Sequence, residues 1–374
     1  MTSLPWVWMH PDWPHFQYDT TLLWEREQQF LLQAGTCMGV IHHLNPEEQQ
    51  AMKIDLISLE ALKTSEIEGE LLNRESLQSS IQKSFGLKAT QGKTQPREQG
   101  IAKMMHELHQ TYASPLSHET LFRWHTALMS GESRLRRVGA YREDVEPMQI
   151  VSGYLGKEKV HYEAPSSSVI APEMAQFIHW FNETSPAGAK PLPALTRACV
   201  AHWYFLILHP FEDGNGRIGR ALVEKVLAQH IQAPTLTSLS VMIQNTKKQY
   251  YQALAKQNTT LRLEPWLEYF SDLILQAQQY TLGHVQFLLQ KAKFWQLHAT
   301  KLHPRQERVI RTLFRAGYGG FSQGLTVKKY MSIAETSRAT ATRDLAELLA
   351  QGILYRTGET QSTRYWLKEE RCYD

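Results

Sequence analysis

Cysteine is scarce in this 374-residue chain: three residues, Cys37, Cys199 and Cys372. Their odd number and scatter exclude a disulfide framework and a cysteine zinc cluster, and fit a reducing cytosol. Long apolar runs are missing as well, and the start, MTSLPWVWMHPDWPHFQYD, has no basic segment followed by an apolar core. Neither a membrane span nor a secretory signal is expected, and the cytoplasm is the expected compartment. Internal repeats and low-complexity tracts are absent. His42-His43 has no companion ligands at metal spacing, which points to solvent exposure rather than metal binding. A net charge of +3 is too small to specify a partner by itself.

What is present is apolar content of 42% with ten tryptophans, enough for sizeable cores, and a length that allows two or three domains. One stretch carries chemistry: His209-Pro210-Phe211-Glu212-Asp213-Gly214-Asn215-Gly216-Arg217-Ile218-Gly219-Arg220. A histidine can take a proton, a carboxylate can hold a divalent cation, and a glycine turn can offer backbone N–H groups to phosphate. Upstream, Leu195 to Leu208 has no Gly or Pro and predicts a buried helix, which Pro210 ends just after His209. Downstream, Arg217 to His230 is again helical, with Ile218, Leu222 and Val226 as a core stripe. Gly214-Asn215-Gly216 is thereby placed at a helix N-terminus, which favours an anion, and Arg217 and Arg220 share a face.

The stretch resembles, position by position, the Fic-family signature His-Pro-Phe-x-Asp/Glu-Gly-Asn-Gly-Arg-x-x-Arg. The resemblance implies transfer of AMP from ATP to a protein hydroxyl. It implies that His209 is the general base, that Asp213 holds Mg²⁺, and that Gly214, Asn215 and Gly216 cradle the α-phosphate. Arg217 is then the partner of the β-phosphate and Arg220 of the γ-phosphate, with Ile218 and Gly219 completing the ATP-binding run. Relatives that act as kinases carry Lys where this chain has Gly216, so glycine there favours nucleotidyl transfer. Gly139-Ala140-Tyr141-Arg142, then Gln149-Ile150-Val151 and Val160-His161-Tyr162, resemble the lead-in and the β-hairpin flap, whose edge pairs with the target segment. Gly153, Gly156 and Lys157-Glu158-Lys159 read as the hairpin turn. Tyr250, Tyr251 and Asn258 resemble the adenine-pocket element, although a helix burying tyrosines near Leu254 accounts for them equally well.

Thr64-Ser65-Glu66-Ile67-Glu68-Gly69 matches the family's inhibitory motif, Ser/Thr-x-x-x-Glu-Gly/Asn. Ile54, Ile57, Ala61 and Thr64 fall on one helical face, Glu68 is next on it, and Gly69 is a helix stop. The resemblance implies that Glu68 pairs with Arg220 and takes the place of the γ-phosphate.

The expected fold is mostly α: a Fic-type helical bundle with a β-hairpin flap, a small N-terminal helical domain and a C-terminal winged helix-turn-helix. Expected boundaries are 1–95 for the N-terminal domain, with the inhibitory helix at about 52–69, 96–290 for the catalytic core, and 300–374 for the winged helix. Trp6, Trp8, Trp13 and Phe16 are expected to pack on the core. From Lys301 onward there are 13 Lys/Arg against 8 Asp/Glu, a net of +5 that leaves −2 for the rest. Arg338 and Arg343 on a presumed recognition helix, with Arg356 and Arg364 on the wing, are candidate DNA contacts, while protein docking suits the same module. The leading expectation is an autoinhibited adenylyltransferase with ATP as substrate and Mg²⁺ as cofactor, acting on a target along the flap edge or on itself. Two alternatives stand beside it: a deAMPylase using the same site, and a nucleotide-sensing DNA-binding regulator. A homodimer is compatible with the family, and no membrane partner is expected.

Overall fold

The structure, a computed structural model, describes residues 6–88, 94–144, 146–152, 159–318, 321 and 323–368. It is mostly helical and divides into two units, residues 1–281 and 282–374. The first begins with α1 (Trp24–His42), α2 (Pro46–Ile67), α3 (Arg74–Ser84), α4 (Pro96–Thr111) and α5 (His118–Leu128). An antiparallel pair follows, β1 (Gln149–Ser152) and β2 (Lys159–Glu163). Then come α6 (Ser167–Glu183), α7 (Ala194–Leu208), α8 (Asn215–Ile231), α9 (Leu239–Asn245), α10 (Lys247–Gln257) and α11 (Glu264–His298), whose residues 264–281 belong to this unit.

The core is organised around α7. Every residue of this helix except Leu206 is buried, as expected of a sequence apolar on all sides. No side chain of its own caps its start. Instead the buried Glu27 of α1 accepts from the N–H groups of Leu195 (3.0 Å) and Thr196 (2.9 Å), placing a carboxylate at the helix N-terminus. Gly219 of α8 lies against α7, where an added Cβ would be 3.3 Å from the His202 ring. The N-terminal aromatics do pack on this core. Trp13 meets Trp203 and Tyr204 edge-on, and Trp6 meets Tyr162 in the same way at 5.3 Å.

The β1–β2 register shifts by one residue between Ile150 and Val151, so His161 lies between the paired positions Val160 and Tyr162. The Val151 and Lys159 side chains, Gly153, Gly156, Lys157 and Glu158 fall outside the described residues. Tyr162 is buried and its hydroxyl donates to Ile207 O (2.5 Å), which ties the hairpin to the end of α7, while Ile150 and Val160 are exposed.

The second unit contains the remainder of α11, then α12 (Pro304–Arg315), α13 (Val327–Ala334), α14 (Arg338–Ala350), β3 (Leu354–Thr357) and β4 (Arg364–Leu367). The two strands pair antiparallel, and Leu325 bridges to Tyr365. Its core includes Val309, Ile310, Tyr330, Leu345 and Leu348. The buried Asp344 accepts from the Tyr330 hydroxyl at 3.0 Å and from Arg305 at 3.3 Å. No helix among the described residues is long and apolar enough to cross a membrane.

Candidate active site

The turn between α7 and α8 assembles the site. His209 caps α7 in the left-handed region (φ 46°, ψ 57°), and Pro210, which disfavours right-handed helical geometry in the residue before it, keeps the helix from continuing. That conformation is costly for a non-glycine residue and is held by its surroundings. The buried Arg142 donates from Nε to His209 O (2.9 Å) and also to Pro165 O, and its own N–H donates to Pro210 O (2.9 Å). Burial pushes the His209 pKa down to about 4, and the Arg142 charge adds to this, so the imidazole is neutral at physiological pH and able to accept a proton.

The rest of the turn is fixed by contacts that reading the motif alone did not expose. Both functional groups of Asn215 are engaged with Phe211: Oδ1 accepts from Phe211 N (3.0 Å) and Nδ2 donates to Phe211 O (2.8 Å). Its side chain therefore staples the loop, and what remains for an anion is the backbone at the start of α8. Phe211 stacks on the buried His125 at 4.2 Å, and His125 Nδ1 accepts from Gly139 N (2.9 Å). Glu212 accepts from the N–H groups of Arg136 and Arg137. Gly214 caps α8 at φ 81°, which favours glycine.

Arg217 and Arg220 project from the first two turns of α8 and are both buried, at 2% side-chain exposure. A buried guanidinium is tolerated only when its charge and donors are met. For Arg220, Nε donates to Thr64 Oγ1 (2.6 Å) and Nη2 to Thr64 O (3.0 Å) and Glu68 Oε1 (2.7 Å). Burial alone would raise the Glu68 carboxyl. The Arg220 charge and hydrogen bond, backed by Arg217 and Lys247, hold it below the ordinary carboxylate range instead. For Arg217, Nη1 meets Glu70 Oε2 at 2.5 Å and Nη2 lies 3.6 Å from Asp213 Oδ1. Glu70 was missed in the sequence, and the only signal was a second acidic residue two places after Glu68.

The other expected site residues differ in how far they are buried. Ile218 is wholly buried and Gly219 faces His202, so this pair packs the helix inward. Tyr250 is buried with its hydroxyl bonded to His202 Nε2 (2.8 Å), and Asn258 is buried with its carbonyl accepting from Val7 N (2.7 Å). Of the three adenine-pocket candidates only Tyr251 is substantially exposed, beside Tyr250 at 5.2 Å. In the second unit Arg338, Arg343 and Arg356 are exposed, and Arg364 Nη1 donates to Thr363 O (3.0 Å). Five positions along α14 separate Arg338 and Arg343 by about 140°, so the two do not share one face.

Asp213 is half-exposed and its Oδ1 accepts from Gly214 N (2.5 Å). No group of three potential metal ligands occurs among the described residues. A single carboxylate still suits Mg²⁺, which commonly binds one or two carboxylates together with substrate phosphates and retained waters.

The chain is similar in sequence and in fold to known proteins. Residues 115–227 match the Fic/DOC family and residues 6–87 a domain of unknown function (DUF4172). A relative named protein adenylyltransferase fic-1, from Caenorhabditis briggsae, is 27% identical over 136 residues, 36% of this chain and 24% of its own length. The chain thus spans about a quarter of the curated relatives it first matches. Among solved structures, a Fic family protein from Desulfovibrio desulfuricans G20 superposes with a TM-score of 0.51 at 18% identity, covering 92% of this chain and 96% of that one. A Fic domain containing signaling protein from Bacteroides thetaiotaomicron gives 0.54 at 18% identity, with 70% and 97% covered. These structural likenesses are ones of fold. From His209 to Arg220 the signature lies inside the matched segment, and the chain carries a Fic domain.

Proposed function

We propose that this protein is an adenylyltransferase that moves AMP from ATP to a hydroxyl of a protein, and that its resting state is held shut by Glu68. The observation that carries the proposal is that the turn bearing a neutral His209 leads straight into a helix with two buried arginines, Arg220 held by Glu68 and Arg217 by Glu70. Neutral His209 removes the proton of the target hydroxyl, the oxygen forms a bond to the α-phosphorus of ATP, and the α–β bond breaks to release pyrophosphate. Arg217 and Arg220 take the charge of the departing phosphates, and the N–H groups at the start of α8 face the α-phosphate. Asp213 is the residue that would hold Mg²⁺, which supplies further neutralisation of phosphate charge when bound. Ile150 and Val160, exposed on the β-hairpin, offer an edge for an extended target segment.

Glu68 must leave Arg220 before a γ-phosphate can reach it. A different reaction at the same site, in which water attacks the phosphorus of a modified hydroxyl and releases AMP, would ask Glu68 to act as a base. Arg220 holds that carboxyl low, which weakens it in that role.

Label transfer from ATP carrying the label at its α-phosphate tests the proposal. Wild type is expected to label weakly and Glu68→Gly strongly, with His209→Ala in the Glu68→Gly background reduced roughly 10²–10⁴-fold. Equal weak labelling by wild type and Glu68→Gly rejects the shut state, and labelling that survives His209→Ala rejects His209 as the base.

A further inference from the structure

Beyond the end of α2 the chain makes a turn that presents two carboxylates, not one. Gly69 adopts φ 85° after the helix-capping Glu68. Gly69 N donates to Glu66 O (3.1 Å) and Glu70 N donates to Ser65 O (3.0 Å). This pair of bonds is a Schellman turn, which fixes the positions of Glu68 and Glu70 relative to the helix. The two arginines they meet are also fixed relative to each other, three positions apart on α8. Glu68 lies on Arg220 at 2.7 Å and Glu70 on Arg217 at 2.5 Å, with side-chain exposures of 25% and 18%.

We propose that Glu70 is a second inhibitory carboxylate, which withholds Arg217 from the β-phosphate just as Glu68 withholds Arg220 from the γ-phosphate. The inference rests on the adenylyltransferase reading for the identity of the phosphates, but its own content is separate. Both buried guanidinium groups need an anion, and the turn supplies one for each, so in the shut site neither Arg217 nor Arg220 is free to meet a phosphate. The shut state therefore discriminates against nucleoside diphosphates as well as triphosphates. A nucleoside monophosphate, which has no β-phosphate to place on Arg217, is indifferent to Glu70. Opening Glu68 alone frees only the outer position, and full nucleotide affinity requires the whole Schellman turn to withdraw.

Calorimetric titration of the full-length protein with ADP and with AMP tests this on wild type, Glu70→Gln, Glu70→Ala, Glu68→Gly and the Glu68→Gly/Glu70→Gln double variant. Glu70→Gln keeps the shape of the side chain and removes its charge, and thermal melts confirm that each variant is folded. The expected result is ADP affinity about tenfold higher in Glu70→Gln, a similar gain in Glu70→Ala, and AMP affinity unchanged in both. ADP affinity in Glu68→Gly should rise less than in the double variant. Unchanged ADP affinity in both Glu70 variants overturns the proposal. So does weaker ADP binding, which would make Glu70 a residue that positions Arg217 for nucleotide rather than one that competes with it. Failure of the adenylyltransferase reading appears elsewhere, as absence of AMP transfer by Glu68→Gly, and leaves the ADP titrations to judge Glu70 by themselves.

Discussion

At Gly216 two demands meet that a motif displays only as one letter. A Cβ built there would lie 2.2 Å from Glu68 Oε1 and 3.1 Å from Arg220 Nη1, so the absence of a side chain is what lets the carboxylate reach its arginine. In a helical first turn, Ala is otherwise favoured over Gly by about 1 kcal/mol. These effects have opposite signs, and a double-mutant cycle separates them. Gly216→Ala is expected to lower the melting temperature of wild type, because it displaces Glu68 and leaves Arg220 buried without its counter-charge. In the Glu68→Gly background the same substitution should be neutral or mildly stabilising. An equal effect in both backgrounds would show that the space at Gly216 does not serve the Glu68 contact. The glycine itself was plain in the sequence, and the family resemblance implied its bearing on reaction type. Its contact with Glu68 was not plain, since the two are 148 positions apart and meet only across packed helices.

At the level of the element, α2 is a lever whose far end is held by polar contacts rather than by helix propensity. Asn45 and Glu48 form a capping box at its start, and Glu60 accepts from Ser240 N (3.0 Å) along its length. Gln244 Nε2 donates to Glu66 Oε1 (3.2 Å), and Lys247 Nζ donates to Ile67 O (2.5 Å), one of the carbonyls left open at the helix end. Lys247 also favours the ionised Glu68, so it supports the contact in two ways. Lys247→Ala is expected to weaken the shut state by about 1 kcal/mol, and so to raise AMP transfer roughly fivefold over wild type, still below Glu68→Gly. Lys247→Arg should restore most of the inhibition. Activity in Lys247→Ala equal to wild type would show that the anchoring of α2 is independent of this cap. The apolar stripe of the helix was legible from periodicity and its stop from Gly69, whereas its start at Pro46 lies six residues before the expected start at about 52. Its anchoring was not legible, because Ser240, Gln244 and Lys247 lie on α9 and α10, where nothing in local sequence marks them as partners of α2.

For the whole molecule, the buried titratable groups set a pH dependence of stability. Burial pushes the pKa of His109 down to about 3, of His125 to about 4 and of His202 to about 3, so all three are neutral in the folded state. Unfolded, they titrate near ~6.5. Their contribution is complete above that value and is lost as pH falls from about 6.5 towards the folded values, because the unfolded chain then binds more protons. Glu60, raised to about 7 chiefly by burial, acts oppositely, and its contribution is lost as pH rises through that value. His209 and His230, each pushed down to about 4, join the three histidines, while Glu27, Glu70 and Glu224, raised chiefly by burial, join Glu60. The histidines ionise in the unfolded chain within this interval, and the melting temperature is expected to drop by several degrees between pH 7 and pH 5 at constant ionic strength. A flat or rising profile over that interval would contradict the assignment of neutral buried histidines. The sequence by itself determined the helical class, the limits of α7 and α8, and the chemistry of the turn between them, because apolar periodicity, a proline and two glycines act locally. Only the tertiary structure decided which groups that chemistry meets. Burial of Arg217 and Arg220 requires a counter-charge for each, and folding brings Glu70 and Glu68 to them, turns Asn215 into a loop staple and directs Tyr250 into the core. A buried charge is satisfied by whatever folding brings within reach, and that is a property of packing between distant segments.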